Sequence, residues 1–257
     1  MPGNLSLSLG TLCAFLLVLA RVSGAFVFVP LPGANAAPAT VRVVLSVGIT
    51  LALQSRWPAI NAAAITPAQL TGWALVEAGL GVGIGVAVSM ILEVFVLSGQ
   101  LLGLQAGYGY ASTIDPNTQA DSGILLVFAE LFAGLLFFSA GLDRDILRLF
   151  AASLDRVPPG TYRFGLSSAG SLIHLGGSLF TIALRLALPV IALMVMVDVA
   201  LALLGRVNAQ LQLLTLAFPA KMLISLLVLS WIAVLFPRIS GEIGGLALGA
   251  ARHTLGL

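Results

Sequence analysis

The chain has 257 residues and a formal net charge of +2, with 59% hydrophobic and only 9% charged residues. A soluble domain carries about 25% charged residues, so the composition excludes an ordinary soluble protein and predicts one membrane unit of several helices. The small net charge comes without a basic cluster, which argues against nucleic-acid binding. The single cysteine, Cys13, can form neither an internal disulfide nor a metal cage. No motif predicts a catalytic, metal or cofactor site, so we do not expect an enzyme.

Six or seven apolar segments follow one another along the chain, and crossing a bilayer as a helix takes about 20 apolar residues. The second segment is short. The fifth is long enough to be a hairpin or a broken helix, because Gly176-Gly177 and Pro189 lie inside it. The segments are 5–29, 41–53, 70–97, 124–142, 164–184 with 186–204, and 211–236.

Two connections are informative. The segment 143–163 carries the only basic run, and the positive-inside rule predicts that it is a cytoplasmic loop. The C-terminal tail, 237–257, is rich in small residues, and a short interfacial helix and a frayed end are equal alternatives for it.

Charged residues lie inside nearly every apolar segment. One charge at the bilayer centre costs about 2.5–3.5 kcal/mol, so these side chains must pair, line water or face other subunits. Four are acids and four are bases, so pairing is possible, and we expect a chain that is surrounded by protein in an assembly. They are Arg21, Arg42, Glu77, Glu93, Glu130, Arg185, Asp198 and Lys221.

The most informative stretch is 99–123, where glycines recur at close spacing, two glutamines interrupt an apolar run, and Asp-Pro follows. Loop backbone cannot face lipid, so this pattern predicts a non-helical insert at membrane depth that lines a cavity or pore. The candidate plug or gate residues are Gly99, Gln100, Gly103, Gln105, Gly107, Tyr108, Gly109, Tyr110, Asp115 and Pro116.

Two other patterns predict contacts. Overlapping G-x-x-x-G pairs over 79–85 favour a close approach of helices, either to a partner subunit or within the chain. The patch 198–221 is either a hairpin with a polar turn or a contact with another subunit. The candidate subunit-contact residues are Gly79, Gly83, Glu93, Asp198, Arg206, Gln210 and Lys221.

These two polar stretches resemble the FliR/SctT family of type III export-gate membrane proteins, and the resemblance spans nearly the whole chain. The more specific motif is Gly99-Gln100-x-x-Gly103-Leu104-Gln105-x-Gly107-x-x-x-Ala111-x-x-x-Asp115-Pro116. The weaker one is Asp198-x-x-Leu201-x-Leu203-Leu204-x-Arg206-x-x-x-Gln210-Leu211, then Phe218-Pro219-x-Lys221. The chain departs from the family at Ala202, Asn208-Ala209 and Ala217, which puts the geometry of the second turn in doubt.

The resemblance implies an all-α membrane protein in which 1–257 forms one export-gate domain of helical hairpins and broken apolar helices. It implies a hetero-oligomeric pore with FliP-like and FliQ-like subunits, and a FlhB-like subunit beside them, in contact with membrane lipid. Unfolded export substrates would pass through this pore, and the glycine-rich insert would be its plug loop. The expected location is the bacterial inner membrane, in a flagellar basal body or an injectisome, with no cofactor.

Two alternatives remain open. A secondary transporter with discontinuous helices would use the carboxylates of Glu77, Glu93, Glu130 and Asp198 as a proton or cation relay. A purely structural scaffold subunit would make the glycine-rich insert a packing loop.

Overall fold

A computed structural model describes residues 8–29, 38–61, 65–107, 124–162, 166–207, 213–232 and 236–254. These ranges contain helices and no β-strand, so the predicted all-α fold is confirmed for them. The α-helices are α1 (Leu9–Phe26), α2 (Ala39–Ala52), α3 (Pro67–Ala106), α4 (Ile124–Ser139), α5 (Leu142–Arg156), α6 (Leu166–Val207), α7 (Leu213–Ile232) and α8 (Phe236–Thr254), with a 3₁₀ turn at Gln54–Arg56.

Among the described residues, three helices are long and apolar enough to cross a membrane: α1, α3 and the part of α6 over Ile173–Arg206. A fourth span results if α4 and α5 are counted as one broken span. Helices α3 and α6 have 40 and 42 residues, which at 1.5 Å per residue is about 60 Å each. Because a hydrocarbon core is about 30 Å thick, each of these apolar helices is about twice as long as one crossing requires.

The chain divides into two compact units, and each is discontinuous in sequence. Unit 1 comprises Met1–Met90, Gly141–Gly176 and Gly244–Leu257, and unit 2 comprises Ile91–Ala140 and Gly177–Ile243. Helices α3 and α6 therefore each contribute residues to both units.

In unit 1, α1 packs closely against the first half of α3. A Cβ on Gly81 or Gly85 would overlap the backbone of α1 at Arg21 or Ala25, and a Cβ on Gly24 would overlap the backbone of α3. Only glycine allows two helix backbones to approach this closely. The glycine pattern over 79–85 thus serves a contact within the chain at Gly81 and Gly85.

In unit 2, the second half of α3 runs beside α6 in the same direction. Ser98 Oγ donates to Ala183 O at 3.1 Å, and further along, Leu102 packs with Ala187, Val190 and Met194. Ile224 and Val228 of α7 pack against the same apolar cluster.

The order of contacts between α6 and α7 is reversed along the two helices. Lys221, at an earlier position on α7, pairs with Asp198, at a later position on α6. This reversed order makes α6 and α7 a helical hairpin, as one alternative predicted.

The prediction of a loop from Gly99 onward is wrong for its first eight residues, because α3 continues to Ala106. The run between Gly99 and Ala106 is rich in Leu, Gln and Ala, which are good helix formers. Leu102 is buried against α6, and this packing outweighs the roughly 1 kcal/mol that each glycine costs in a helix.

Two other predictions of irregular backbone are also wrong. From Leu166 onward the fifth apolar segment is one continuous helix, α6, with Pro189 inside it; the fixed φ of proline is compatible with a helix, and only one backbone hydrogen bond is lost there. Most of the predicted loop 143–163 is α5, whose apolar residues recur at helical spacing and are buried, including Ile146, Phe150 and Leu154. The tail is helical over α8. Whether 143–163 is cytoplasmic stays a prediction.

Candidate functional site

The two polar stretches that the sequence singled out meet in unit 2, at the last turn of α3. Gln105 Nε2 donates to Asp198 Oδ2 of α6 at 3.3 Å. Lys221 of α7 forms an ion pair with Asp198 and donates from Nζ to the backbone oxygen of Gln105 at 3.4 Å. We call this set of three residues the α3 junction. It joins the end of one helix to both arms of the α6–α7 hairpin.

Each residue of the α3 junction provides a hydrogen-bond partner or a counter-charge for another. The final carbonyl groups of a helix have no partner within the helix, and a cation near a helix C-terminus interacts favourably with its dipole. The ammonium group of Lys221 meets both conditions. The side chain of Lys221 is 14% exposed and that of Asp198 is 43% exposed, so water reaches the carboxylate more readily than the ammonium group.

Helix α3 ends at Gly107, directly after the junction. The φ of Gly107 is +82°, a conformation that glycine adopts without steric penalty, and its N–H donates to Leu104 O at 3.3 Å. This geometry is that of a glycine helix cap. The chain that follows, 108–123, is thus attached to a helix end that side chains on α6 and α7 hold.

The predicted plug residues before Gly107 lie on α3. Gly99 is buried, Gln100 is exposed and Gly103 is partly buried. The remaining plug candidates lie outside the described residues; they are Tyr108, Gly109, Tyr110, Asp115 and Pro116.

Two of the predicted subunit-contact residues, Asp198 and Lys221, pair with each other in the α3 junction. Gly79 and Gly83 are partly buried in α3, and Glu93 is exposed on it. Arg206 is exposed in the last turn of α6, and Gln210 lies outside the described residues. Contacts of these residues with other subunits stay predictions.

A second polar cluster, in unit 1, was not among the predicted sites. The side chains of Arg21 and Glu77 are both 0% exposed and form an ion pair at 2.6 Å. The guanidinium group also donates to Ser153 O at 3.0 Å, to Ser153 Oγ at 3.2 Å and to Val157 O at 2.9 Å. Glu77 Oε1 accepts from the N–H of Gly160 at 2.9 Å. With the bond from Arg21 Nε to Glu77 Oε2, four hydrogen bonds engage all three nitrogen atoms of the guanidinium group.

The sequence carried only part of the signal for this cluster. Arg21 and Glu77 each interrupt an apolar segment, and the expectation that such charges pair is confirmed here and for Asp198 with Lys221. The acceptors on 153–157 are mostly backbone carbonyls, which no residue pattern marks. Within the described ranges, no three His, Cys, Asp or Glu side chains cluster as metal ligands would.

Long apolar helices, an all-α fold and charges paired inside apolar surroundings define an integral membrane protein. Residues 12–244 match the family described as "Bacterial export proteins, family 1". The chain belongs to this family and is a FliR-family member, as its two motifs indicate.

Three relatives give the extent of the similarity, and each is a flagellar biosynthetic protein FliR. The protein of Pectobacterium carotovorum subsp. carotovorum is 28% identical over 224 residues, covering 87% of this chain and 84% of the relative. That of Escherichia coli K12 is 28% identical over 230 residues, covering 87% and 82%. That of Bacillus subtilis 168 is 28% identical over 223 residues, covering 84% of each chain.

Proposed function

We propose that the chain is the FliR-type subunit of the flagellar protein-export gate in the bacterial inner membrane. It assembles with FliP-like and FliQ-like subunits, with a FlhB-like subunit beside them, around a pore for unfolded export substrates. The chain from Gly107 to 123 is the plug of that pore. The three relatives are flagellar proteins, which favours a flagellar system over an injectisome.

The length and exposure of the helices support an assembly of several subunits. Helices α3 and α6 are each about 60 Å long and are apolar over most of their length. In the most apolar stretch of α6, only 17% of the residues are buried, against 56% in α3. One bilayer crossing covers about half of either helix. The remaining apolar surface needs cover, and other protein subunits would provide it.

The α3 junction is the observation that supports the assignment of 107–123 as a plug. It fixes the point at which 108–123 leaves α3, through Gln105, Asp198 and Lys221. A plug has to be held at its base while its tip is free to move. The glycine at position 107 provides the turn between these two parts. The ion pair holds the base from two neighbouring helices.

Co-purification tests the assembly. The tagged chain is isolated from its native membrane and the proteins that accompany it are identified by mass spectrometry. We expect P-type and Q-type export subunits in a stable complex. Recovery of the chain alone or as a homodimer, from membranes in which both partners are expressed, refutes the proposal.

Ion permeability tests the plug. We expect that replacing Gly107 with tryptophan, or deleting 107–110, makes assembled complexes leak small ions across vesicle membranes. The matched control is Gly249→Trp, because a Cβ at Gly249 meets open space. Complexes that assemble with the altered plug and remain as ion-tight as the control would contradict the plug assignment.

Two observations on the described residues argue against the transporter alternative: the continuity of its helices and the pairing of its carboxylates. A transporter of this kind needs discontinuous helices, whereas α3 is continuous to Ala106 and α6 is continuous from Leu166 to Val207. Two of the four carboxylates proposed as a relay, Glu77 and Asp198, are held in ion pairs.

A further inference from the structure

Arg185 is a basic residue inside the apolar span of α6 that takes part in none of the ion pairs within the described part of the chain. Arg185 is exposed on α6, and within the part of the chain that the structure describes, its side chain has neither an ion pair nor a hydrogen bond. By contrast, Arg21 and Lys221 are both paired with acids. Arg185 thus presents an uncompensated charge on the least buried of the long apolar helices.

The backbone at the same place also lacks a partner. Pro189 lies inside α6, four residues after Arg185, and proline has no N–H. The usual helical hydrogen bond to the carbonyl oxygen of Arg185 therefore cannot form. Residues four apart lie on one face of a helix, and Pro189 is exposed as well. One patch of α6 therefore combines an unpaired guanidinium group with a carbonyl oxygen that has lost its helical donor. We call this the Arg185 patch.

The Arg185 patch does not lie at the end of an apolar stretch. Exposed hydrophobic side chains precede it, such as Phe180 at 57% exposure, and others follow it, such as Met196 at 73%. Arg185 lies 12 residues after Ile173, where the apolar span of α6 begins, which is about 18 Å along the helix. Arg185 thus has exposed apolar surface on both sides of it along α6, and a partner helix that covers this surface would meet the guanidinium group.

We propose that the Arg185 patch is the binding site, called the seat below, of a membrane helix from another export-gate subunit, and that this helix carries an aspartate or glutamate. The carboxylate pairs with the guanidinium group. A hydroxyl or amide side chain of the same helix donates to the carbonyl oxygen of Arg185. In a membrane, polar groups freed by a proline are satisfied in this way by neighbouring helices. The inference rests on the proposed function and adds the chemistry of one subunit contact to it.

Site-specific cross-linking in intact membranes tests the seat. A photo-reactive amino acid replaces Leu188, an exposed residue one turn from Arg185, in an otherwise unaltered chain. We expect it to cross-link a P-type or Q-type subunit on a helix that contains an acidic residue. Cross-links to lipid alone, or to a helix without Asp or Glu, overturn the inference.

Substitution tests the charge. Truncating one partner of a desolvated ion pair weakens association strongly, so we expect Arg185→Gln to reduce the recovered complex at least about 10-fold. Arg185→Lys should retain most of it. The control is Arg148→Gln, which removes an exposed arginine whose partner, Asp145, lies on its own helix. Arg185→Glu should be rescued when the acidic residue of the cross-linked helix is changed to arginine.

The outcomes separate the two proposals. If the unaltered chain recovers its partners while Arg185→Gln does so equally well, the seat is wrong and the export-gate assembly stands. If the unaltered chain recovers neither P-type nor Q-type subunits, the proposed function fails and the seat fails with it. Thermal unfolding of each purified variant shows whether it is folded, and we expect little change because the exposed side chain of Arg185 has no hydrogen bond or ion pair within the described residues for the substitutions to remove.

Discussion

The buried ion pair of unit 1 gives the sharpest prediction about stability. In Glu77→Gln the side chain keeps its shape and one acceptor oxygen but loses its charge. The carboxylate now accepts from Arg21 Nε at 2.6 Å on one oxygen and from the N–H of Gly160 at 2.9 Å on the other. An amide cannot do both, because its NH₂ group would face a donor on one of the two sides. The buried guanidinium group would also lose its counter-charge.

The expected effect is large. Removing one partner of a buried ion pair typically costs about 3–5 kcal/mol, and whole domains have a free energy of unfolding of about 5–15 kcal/mol. We therefore expect Glu77→Gln to lower the free energy of unfolding by about 3–5 kcal/mol, measured by denaturant titration of the purified chain in detergent. The same substitution at Glu93, which is exposed on the same helix, should change it by less than about 0.5 kcal/mol.

A double-mutant cycle checks that the effect belongs to the pair. Arg21→Gln and Glu77→Gln together should be less destabilising than the sum of the two single changes, by about 2–3 kcal/mol. An exposed ion pair serves as the reference: Arg56 and Asp155 are 45% and 48% exposed, and Asp155→Asn should cost about 0–1 kcal/mol. If Glu77→Gln costs no more than Asp155→Asn, or if the cycle is additive, the reasoning from burial is refuted.

Two further predictions concern the helix contacts. Gly81→Ala would place a Cβ 2.9 Å from the carbonyl carbon of Arg21 on α1, so we expect it to destabilise the chain by about 1–3 kcal/mol. Gly72→Ala, on the same helix in open space, should instead stabilise it by up to about 1 kcal/mol; thermal shifts of the same sign would contradict this. Lys221→Met removes the hydrogen bond to the carbonyl oxygen of Gln105 and the ion pair with Asp198, so amide hydrogen exchange over 103–107 should accelerate at least about 10-fold. Arg238→Gln, an exposed arginine on α8, should leave that exchange unchanged.

The helices could be predicted from the sequence where apolar length and composition decide the outcome. The limits of α1, α2, α4 and α7 fall within a few residues of the apolar segments, because apolar runs of this length form helices in a membrane. That charges in such runs must pair also followed from the sequence. The identity of each pair did not, since Arg21 and Glu77 are 56 residues apart and the fold alone brings them together.

The errors came from reading glycine, proline and charge as breaks in a helix. Glycine weakens a helix in isolation, yet Gly99 is buried within one, beside Leu102 and its contacts on α6. Charges between apolar segments suggested a loop over 143–163. There the helical spacing of Ile146, Leu149 and Phe150, all buried, was the stronger signal. In both cases packing against another helix outweighed local preference.

The two ion pairs differ in a way that suits different tasks. Arg21 and Glu77 are sealed from water and their polar atoms are fully engaged, so breaking the pair exposes a charge to an apolar core and is costly. Asp198 is 43% exposed and Lys221 14% exposed, so water can replace Lys221 on the carboxylate at lower cost than in the sealed pair, and the ammonium group keeps the carbonyl oxygen of Gln105 as an acceptor. A contact that stays fixed is best built like the first, and the contact that the proposed function requires at the base of a plug, which has to open, is best built like the second. The α3 junction has the properties of a contact that opens, and the cluster around Arg21 has those of one that does not.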